Sequence, residues 1–239
     1  MTMSALRIAL IGSGRMSRAV RGLAPERGAD VVTIIGSQDN PEGQAITPAR
    51  LAGAQVAIEF TQPAAAAANV LACIRAGVPC VSGTTGWYDA LPDVVREVET
   101  LGGALLWAPN FSAGVALFTA LVERAGALFG RDGSFDAQLI ETHHAAKKDA
   151  PSGTAQALAR AFGQAAAATP GITSVRTGHV PGTHELILDA PFEQIRLIHA
   201  ARDRRVFADG ALRAAAWLVG RRGVFTMRDV LGLAQEATS

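Results

Sequence analysis

Short apolar runs recur through the first half of the chain, at residues 6–11, 31–35, 56–60, 78–82 and 104–108. Most are separated by stretches of helical character: residues 15–24, the alanine-rich 63–76, and 91–101 with apolar positions at helical spacing. Strands that alternate with helices in this way form a parallel sheet covered on both faces, because each crossover helix returns the chain to the same end of the sheet. Right-handed crossovers then make it doubly wound. After Ala108 the pattern changes. A long amphipathic helix is predicted from an N-cap at Ser112 to about Phe129, stopping at Gly130. A strand over 136–142, a charged loop, a helix over 152–167 and two alternating segments at 185–189 and 194–199 follow, the last two reading as antiparallel strands of a mixed sheet. A second domain therefore begins near residue 112. A helix over 210–218 and a capping box at Thr226 and Asp229 complete the chain, and periodicity alone lets this tail pack on either domain.

Composition narrows the class. The 239 residues suffice for one large or two modest domains, and 49% hydrophobic with 18% charged residues is the balance of an ordinary globular protein. A formal net charge of +1 lacks the basic excess of a nucleic-acid surface, which leaves small molecules as the expected partners. Cys73 and Cys80 have neither zinc-site spacing nor the density of a disulfide scaffold, so a reducing cytoplasm is expected. The opening run is short and broken by Arg7, which reads as a strand and not a signal peptide, and no stretch reaches the roughly 18 continuous apolar residues of a membrane span.

The first candidate chemistry is the turn Gly12-Ser13-Gly14-Arg15-Met16-Ser17 between the first strand and helix. Glycines there let a backbone approach a pyrophosphate, and the helix start favours its negative charge. The third glycine of the full dinucleotide fingerprint falls on Ser17. After the second strand, where an acidic residue would hold the adenosine ribose, stands Gly36-Ser37-Gln38, with Asp39 slightly late. Ser37 tolerates a 2′-phosphate better than a carboxylate does and Arg15 can help neutralise it, which favours NADPH; a ribose held by Asp39 is the alternative. Phe60-Thr61, Gly83-Thr84-Thr85-Gly86 and Ala108-Pro109-Asn110-Phe111 follow later strands, and together they would line the nicotinamide half of a cleft at the sheet's carboxyl edge.

The second is the stretch from Glu141 to Ala155, which contains His143, His144, Lys147 and Lys148 and then Pro151-Ser152-Gly153-Thr154 at a helix start. Taken singly, a histidine pair or a loop lysine is an ordinary structural or solvated feature. Imidazoles, ammonium groups, hydroxyls and the outward amides of a helix start together make a carboxylate receptor. The adjacent histidines have no third ligand at metal-site spacing, so no metal is predicted.

The string His-His-x-x-Lys-x-Asp-Ala-Pro-Ser-Gly-Thr-Ala resembles the signature of the 4-hydroxy-tetrahydrodipicolinate reductase family. The resemblance extends to Gly12–Met16, Phe60-Thr61, Gly83–Gly86, Asn110-Phe111-Ser112, residues 208–218 and Met227–Leu231. It implies a Rossmann-type doubly wound domain over 1–111, an inserted α+β substrate-binding and oligomerisation domain over 112–205, and a segment over 206–239 returning to the first domain, assembled as a homotetramer. It further implies that Gly12, Gly14, Arg15, Met16, Gly83, Thr84, Thr85, Ala108, Pro109, Asn110 and Phe111 contact NADPH or NADH; Ser13, inside the same turn, is a candidate beside them. His144, Gly153 and Thr154 would hold a cyclic imine dicarboxylate, and His143 and Lys147 would be the acid-base pair. The chain departs from the family at Ser17, where glycine is usual, at Gln62, where many members have arginine, and in a short 171–187 stretch whose Arg176-x-Gly178 and Gly182-x-His184 match short-form members. Two other functions fit the scaffold: another NAD(P)-dependent amino-acid-pathway dehydrogenase, and a noncatalytic nucleotide redox sensor. The His143/Lys147 pair argues against the sensor, which has no need of a proton donor.

Overall fold

A computed structural model of the chain describes residues 4–40, 43–51, 53–166 and 168–233. They fall into two compact units, one made of the residues up to Ser112 together with those from Arg205 onward, the other of Ala113–Arg204.

In the first unit β1 (Leu6–Ile11), α1 (Arg15–Leu23), β2 (Ala29–Ile35), α2 (Pro48–Leu51), β3 (Val56–Glu59), α3 (Pro63–Arg75), β4 (Cys80–Ser82), α4 (Leu91–Thr100) and β5 (Ala104–Trp107) alternate, with the short α2 where the hydrophobic pattern showed no helix. The second unit holds α5 (Ala113–Asp132), β6 (Asp136–His143), α6 (Gly153–Ala165), β7 (Gly171–Arg176), β8 (Thr183–Ala190) and β9 (Glu193–Ala200). The chain then re-enters the first unit as α7 (Arg205–Leu218), β10 (Gly223–Phe225) and α8 (Met227–Val230).

The first unit is a Rossmann-like parallel sheet in the order β10-β5-β4-β3-β1-β2 with helices on its faces. Central strands covered on both sides read as near-continuous apolar runs, and Ile8, Ala9, Leu10 and Ile11 of β1 are each fully buried. The order reverses between β1 and β3, the switch point at which open α/β sheets bind ligands. Register aligns Ile11 with Glu59, Glu59 with Ser82 and Ser82 with Trp107, so the loops beginning at Gly12, Phe60, Gly83 and Ala108 leave the sheet side by side. The tail's place is decided by packing: α7 lies against α1, β3 and β4, and its Ala208, Ala211, Ala214, Ala215 and Leu218 are fully buried. Capping by Thr226 and Asp229 opens α8 as the sequence suggests.

The second unit is a four-stranded mixed sheet in the order β7-β6-β8-β9, in which β6 and β7 run parallel and the other pairs antiparallel. Leu139, Leu158, Leu186 and Leu188 form its dry centre, each contributing roughly 1.5–3 kcal/mol by burial. Helix α5 passes through Gly130 to Asp132, beyond the predicted stop. That glycine is a notch for helix packing and not a cap: a Cβ on it would lie 2.4 Å from the Ala166 Cβ, as one on Gly126 would lie 2.4 Å from the Phe162 carbonyl oxygen. Helix α7 begins five residues earlier than predicted, and the predicted helix end at residue 167 lies outside the described residues. By length and apolar content α5 would suffice to cross a membrane; here Phe118, Val122, Ala125 and Gly126 are buried within the unit.

Candidate active site

Two clusters of polar chemistry emerge, one in each unit. In the first, Gly12 has φ +103°, and a Cβ there would meet the Phe60 carbonyl oxygen at 2.2 Å, so the turn after β1 passes close beneath the end of β3 in a conformation that glycine alone takes without strain. Gly14 is the N-cap of α1, carries no side-chain cap, and a Cβ on it would project into open space. The helix start therefore faces an open cradle, which is what a nucleotide pyrophosphate requires. Gly14, Arg15, Met16, Gly83, Thr84 and Thr85 line one cavity of ≈ 320 Å³ together with Phe60, Thr61 and Pro63. Ser37 is exposed just beyond β2, and Gly36 beside it approaches the glycine turn so closely that its Cβ would lie 3.3 Å from Ser13 Oγ. Asp39 is also exposed and stands 4.0 Å from Arg50. Ala108, Pro109, Asn110 and Phe111 follow β5 outside the cavity lining; Asn110 Oδ1 accepts from the Ser112 amide at 2.8 Å, and the Phe111 ring meets Phe60 edge-on at 5.9 Å. The Phe111 carbonyl is accommodated by Gly210 of α7, where a Cβ would sit 1.7 Å from its oxygen.

Beneath this cavity lies a carboxyl that the hydrophobic pattern conceals. Glu59 ends the apolar strand β3 and is fully buried. Burial pushes its pKa up, against hydrogen bonds from Thr61, Ser82 and Thr84 that favour the carboxylate.

In the second unit β6 carries Glu141 and His143 two residues apart, hence on one face of the strand. Glu141 is fully buried, and its Oε2 is hydrogen-bonded to His143 Nδ1. Its Oε1 accepts from Arg176 Nη2 at 2.6 Å and from the Ser152 amide at 3.2 Å. Arg176 reaches it because β7 pairs parallel with β6 and places Arg176 opposite His143. Burial would raise the Glu141 pKa, but hydrogen bonds to the carboxylate, led by that from Arg176, outweigh it and hold the carboxyl down at about 2. His143 is 8% exposed and packs against Gly182, whose Cβ would lie 3.0 Å from the imidazole Nε2. Burial lowers the His143 pKa, Glu141 opposes that, and Lys147 and Arg176 lower it further. Lys147 Nζ donates to both oxygens of Asp149, at 2.7 and 2.8 Å, and holds that carboxyl below its ordinary range.

Ser152 caps α6 by accepting from the Ala155 amide at 3.2 Å, and it lies 3.4 Å from His184 Nε2. The backbone N–H groups of such a helix start favour an anion, and Gly153 and Thr154 form its first turn. Arg176 Nη2 also donates to the Asp149 carbonyl at 2.6 Å, tying the Lys147 loop to the same hub. His144 is half-buried at the end of β6. Behind His143 stands His184, its ring 5.3 Å away and edge-on, with His199 opposite it on β9. Burial first, then His143 and His199, push His184 down to about 4. His143 and Ser152 thus bond Glu141 directly, Lys147 is linked to Arg176 through Asp149, and Gly153 and Thr154 follow Ser152 in the first turn of α6; Glu141, Arg176 and His184 were assigned no role by the sequence reading. Glu141 was accessible to it as the i−2 neighbour of a histidine on a strand. Arg176 and His184 stood in the sequence only as pieces matching short-form members, and strand pairing is what brings them to β6. Among the described residues no group of three or more His, Cys, Asp or Glu side chains is placed to hold a metal ion.

Residues 6–111 match the family model described as "Dihydrodipicolinate reductase, N-terminus", and residues 114–231 match "Dihydrodipicolinate reductase, C-terminus". The 4-hydroxy-tetrahydrodipicolinate reductase of Xanthomonas euvesicatoria pv. vesicatoria is 40% identical over 243 residues, covering 97% of this chain and all of the relative. That of Thiobacillus denitrificans is 37% identical over 270 residues, covering 95% of this chain and 99% of the relative. Among solved structures, the dipicolinate-bound dihydrodipicolinate reductase of Paenisporosarcina sp. TG-14 shares the fold with a TM-score of 0.80 at 19% identity, over 93% of this chain and 97% of that one.

Proposed function

The chain belongs to the dihydrodipicolinate reductase family, whose members carry out the NAD(P)H-dependent reduction of 4-hydroxy-tetrahydrodipicolinate in lysine biosynthesis, and from that premise we propose which of its residues do the work. The nicotinamide, when bound, supplies the hydride. Gly12, Ser13, Gly14, Arg15 and Met16 hold the pyrophosphate, Ser37 faces the adenosine ribose and accepts either NADPH or NADH, and Gly83, Thr84, Thr85 and Ala108–Phe111 take the nicotinamide half. The open cradle at Gly14 and the cavity it shares with Gly83–Thr85 support this assignment.

His143 is the proton donor. The substrate is a cyclic imine dicarboxylate formed by loss of water from the 4-hydroxy compound. Hydride addition at its C4 sends an electron pair toward the imine nitrogen, and the enamine so formed takes a proton at C3. The observation that carries the assignment is the bond from His143 Nδ1 to Glu141. Glu141 Oε1 already accepts from a guanidinium and a backbone amide, and the carboxyl stays ionised, so Nδ1 must carry hydrogen and Nε2 is the nitrogen left to exchange a proton. Lys147 supplies charge to the developing anion or to a substrate carboxylate after leaving Asp149. His144, Gly153 and Thr154 bind the carboxylates, with the start of α6 as the anion site.

We place the enzyme in the cytoplasm, which the free Cys73 and Cys80 support, and assign it a homotetrameric assembly through the second unit. Leu117, Leu121 and Leu128, exposed along one side of α5, and the exposed Ile198 of β9 support that assembly.

His143→Gln and Lys147→Ala test the pair. The first should preserve nucleotide affinity and lower kcat by roughly 10²–10⁴-fold, the range for losing a general acid. The double variant should lose much less than the product of the two single losses, because both groups act on one transition state. A near-normal kcat for His143→Gln would remove His143 from the role.

A further inference from the structure

Two hydrogen-bond chains in the first unit start on backbone amides, which can only donate, and both end on Glu59. In one, the Ala45 amide donates to Asn40 Oδ1 at 2.9 Å, which turns Asn40 Nδ2 toward Asn69 Oδ1, also at 2.9 Å. Asn69 is thereby oriented with Nδ2 toward Thr61 Oγ1 at 3.2 Å, and Thr61 Oγ1 donates to Glu59 Oε1. In the other, the Thr61 amide donates to Thr84 Oγ1 at 2.8 Å, and Thr84 Oγ1 donates to Glu59 Oε1 at 2.8 Å. Ser82 Oγ meets Oε2 at 2.7 Å. A hydroxyl has a single proton. Those of Thr61 and Thr84 are both committed inward, to a carboxyl with no exposed surface.

Thr61 and Thr84 line the ≈ 320 Å³ cavity with Gly83 and Thr85. With their protons turned inward, their hydroxyls can offer a ligand only lone pairs. We infer that Glu59 fixes the Thr61 and Thr84 hydroxyls of this wall as acceptors, and so makes that part of the cavity select the NH₂ of the nicotinamide carboxamide over a group that lacks a donor. Glu59 touches neither reacting atom and acts as a positioning residue through the two threonines. The inference rests on the reading that the nicotinamide half enters this cavity.

The test is calorimetric binding to the full chain without substrate, comparing NADH with reduced 3-acetylpyridine adenine dinucleotide, in which a methyl replaces the carboxamide NH₂. The wild type should bind the analogue roughly tenfold more weakly, the scale of one lost hydrogen bond that leaves an acceptor unpaired. Glu59→Met removes the inward acceptor and frees both hydroxyl protons, so the preference should collapse to within about twofold. Glu59→Gln retains a carbonyl oxygen for Thr61 and Thr84 and an NH₂ for Ser82, and should keep the wild-type ratio. Thr84→Val, which deletes one acceptor without emptying the buried site, should lower NADH affinity while sparing the analogue, and it serves if Glu59→Met does not fold. No wild-type preference, or an unchanged ratio in both Glu59→Met and Thr84→Val, overturns the inference, as does a Gln variant that loses the ratio as completely as Met. Thr85→Trp separates the underlying reading: if bulk at the cavity wall leaves NADH affinity intact, the nicotinamide is not there at all.

Discussion

Replacing Glu141 by glutamine changes one atom in a fully buried group and should disable His143 without touching it. If the glutamine keeps its oxygen on Arg176 and Ser152, its NH₂ faces His143 Nδ1, which then must accept. The neutral imidazole turns to the other tautomer, and the imidazolium, with hydrogen on both nitrogens, meets a donor where it had a carboxylate. The lost charge-assisted hydrogen bond is worth about 1.5–3 kcal/mol, or roughly 10–100-fold in the population of protonated His143. Glu141 is also what holds the His143 pKa up against burial, Lys147 and Arg176. A general acid works below its pKa and fails above it, so removing Glu141 should move the basic limb of the kcat/KM profile to lower pH. The assay is steady-state kinetics across pH with saturating nucleotide, with ¹⁵N NMR of the labelled enzyme to read the His143 tautomer. NADH affinity should be unchanged, since Glu141 bonds His143, Arg176 and Ser152, none of them assigned to the nucleotide. A limb that stays in place or moves to higher pH, or a tautomer retained in Glu141→Gln, would refute the reasoning.

Ser37→Asp should lower kcat/KM for NADPH relative to NADH, because a carboxylate near the 2′-phosphate repels it while accepting from ribose hydroxyls; an unchanged ratio would take Ser37 away from the ribose. Thr154→Val should raise KM for the imine dicarboxylate by roughly 10–100-fold and leave the nucleotide KM nearly constant, as a buried anion loses a hydroxyl donor worth about 1.5–3 kcal/mol. His184 should make the fold acid-sensitive: its pKa is about 4 in the folded chain against an ordinary 6.5, so between those values the unfolded chain takes up a proton that the folded one refuses. The Tm should therefore fall as pH drops from 6.5 toward 4, and His184→Gln should flatten that slope; an equal slope in both proteins would mean His184 is not the group responsible.

The parts of this protein that its sequence determines alone are those in which cause and consequence lie within a few residues. An apolar run, a glycine with φ +103° and a helix start give β1, its turn and α1. Ser152 three residues before Ala155 caps α6, and Glu141 two residues before His143 shares its strand face. What tertiary structure decided is every partnership that spans a crossover. The three residues of β10 carry no periodicity, and they are a strand only because β5, more than a hundred residues earlier, offers an open edge. The segment Gly171–Arg176 alternates only between exposed and half-buried positions and becomes β7 by pairing with β6 after α6 has intervened, which is what delivers Arg176 to Glu141. Gly130 reads as a helix stop until Ala166 is seen to need its missing side chain. Glu59 looks like a polar interruption at the end of an apolar strand until register sets Ser82 beside it and the adjoining loops bring Thr61 and Thr84 over it. A buried carboxyl is stable only where its donors converge, and that convergence is a property of the folded sheet, which no window of neighbouring residues contains.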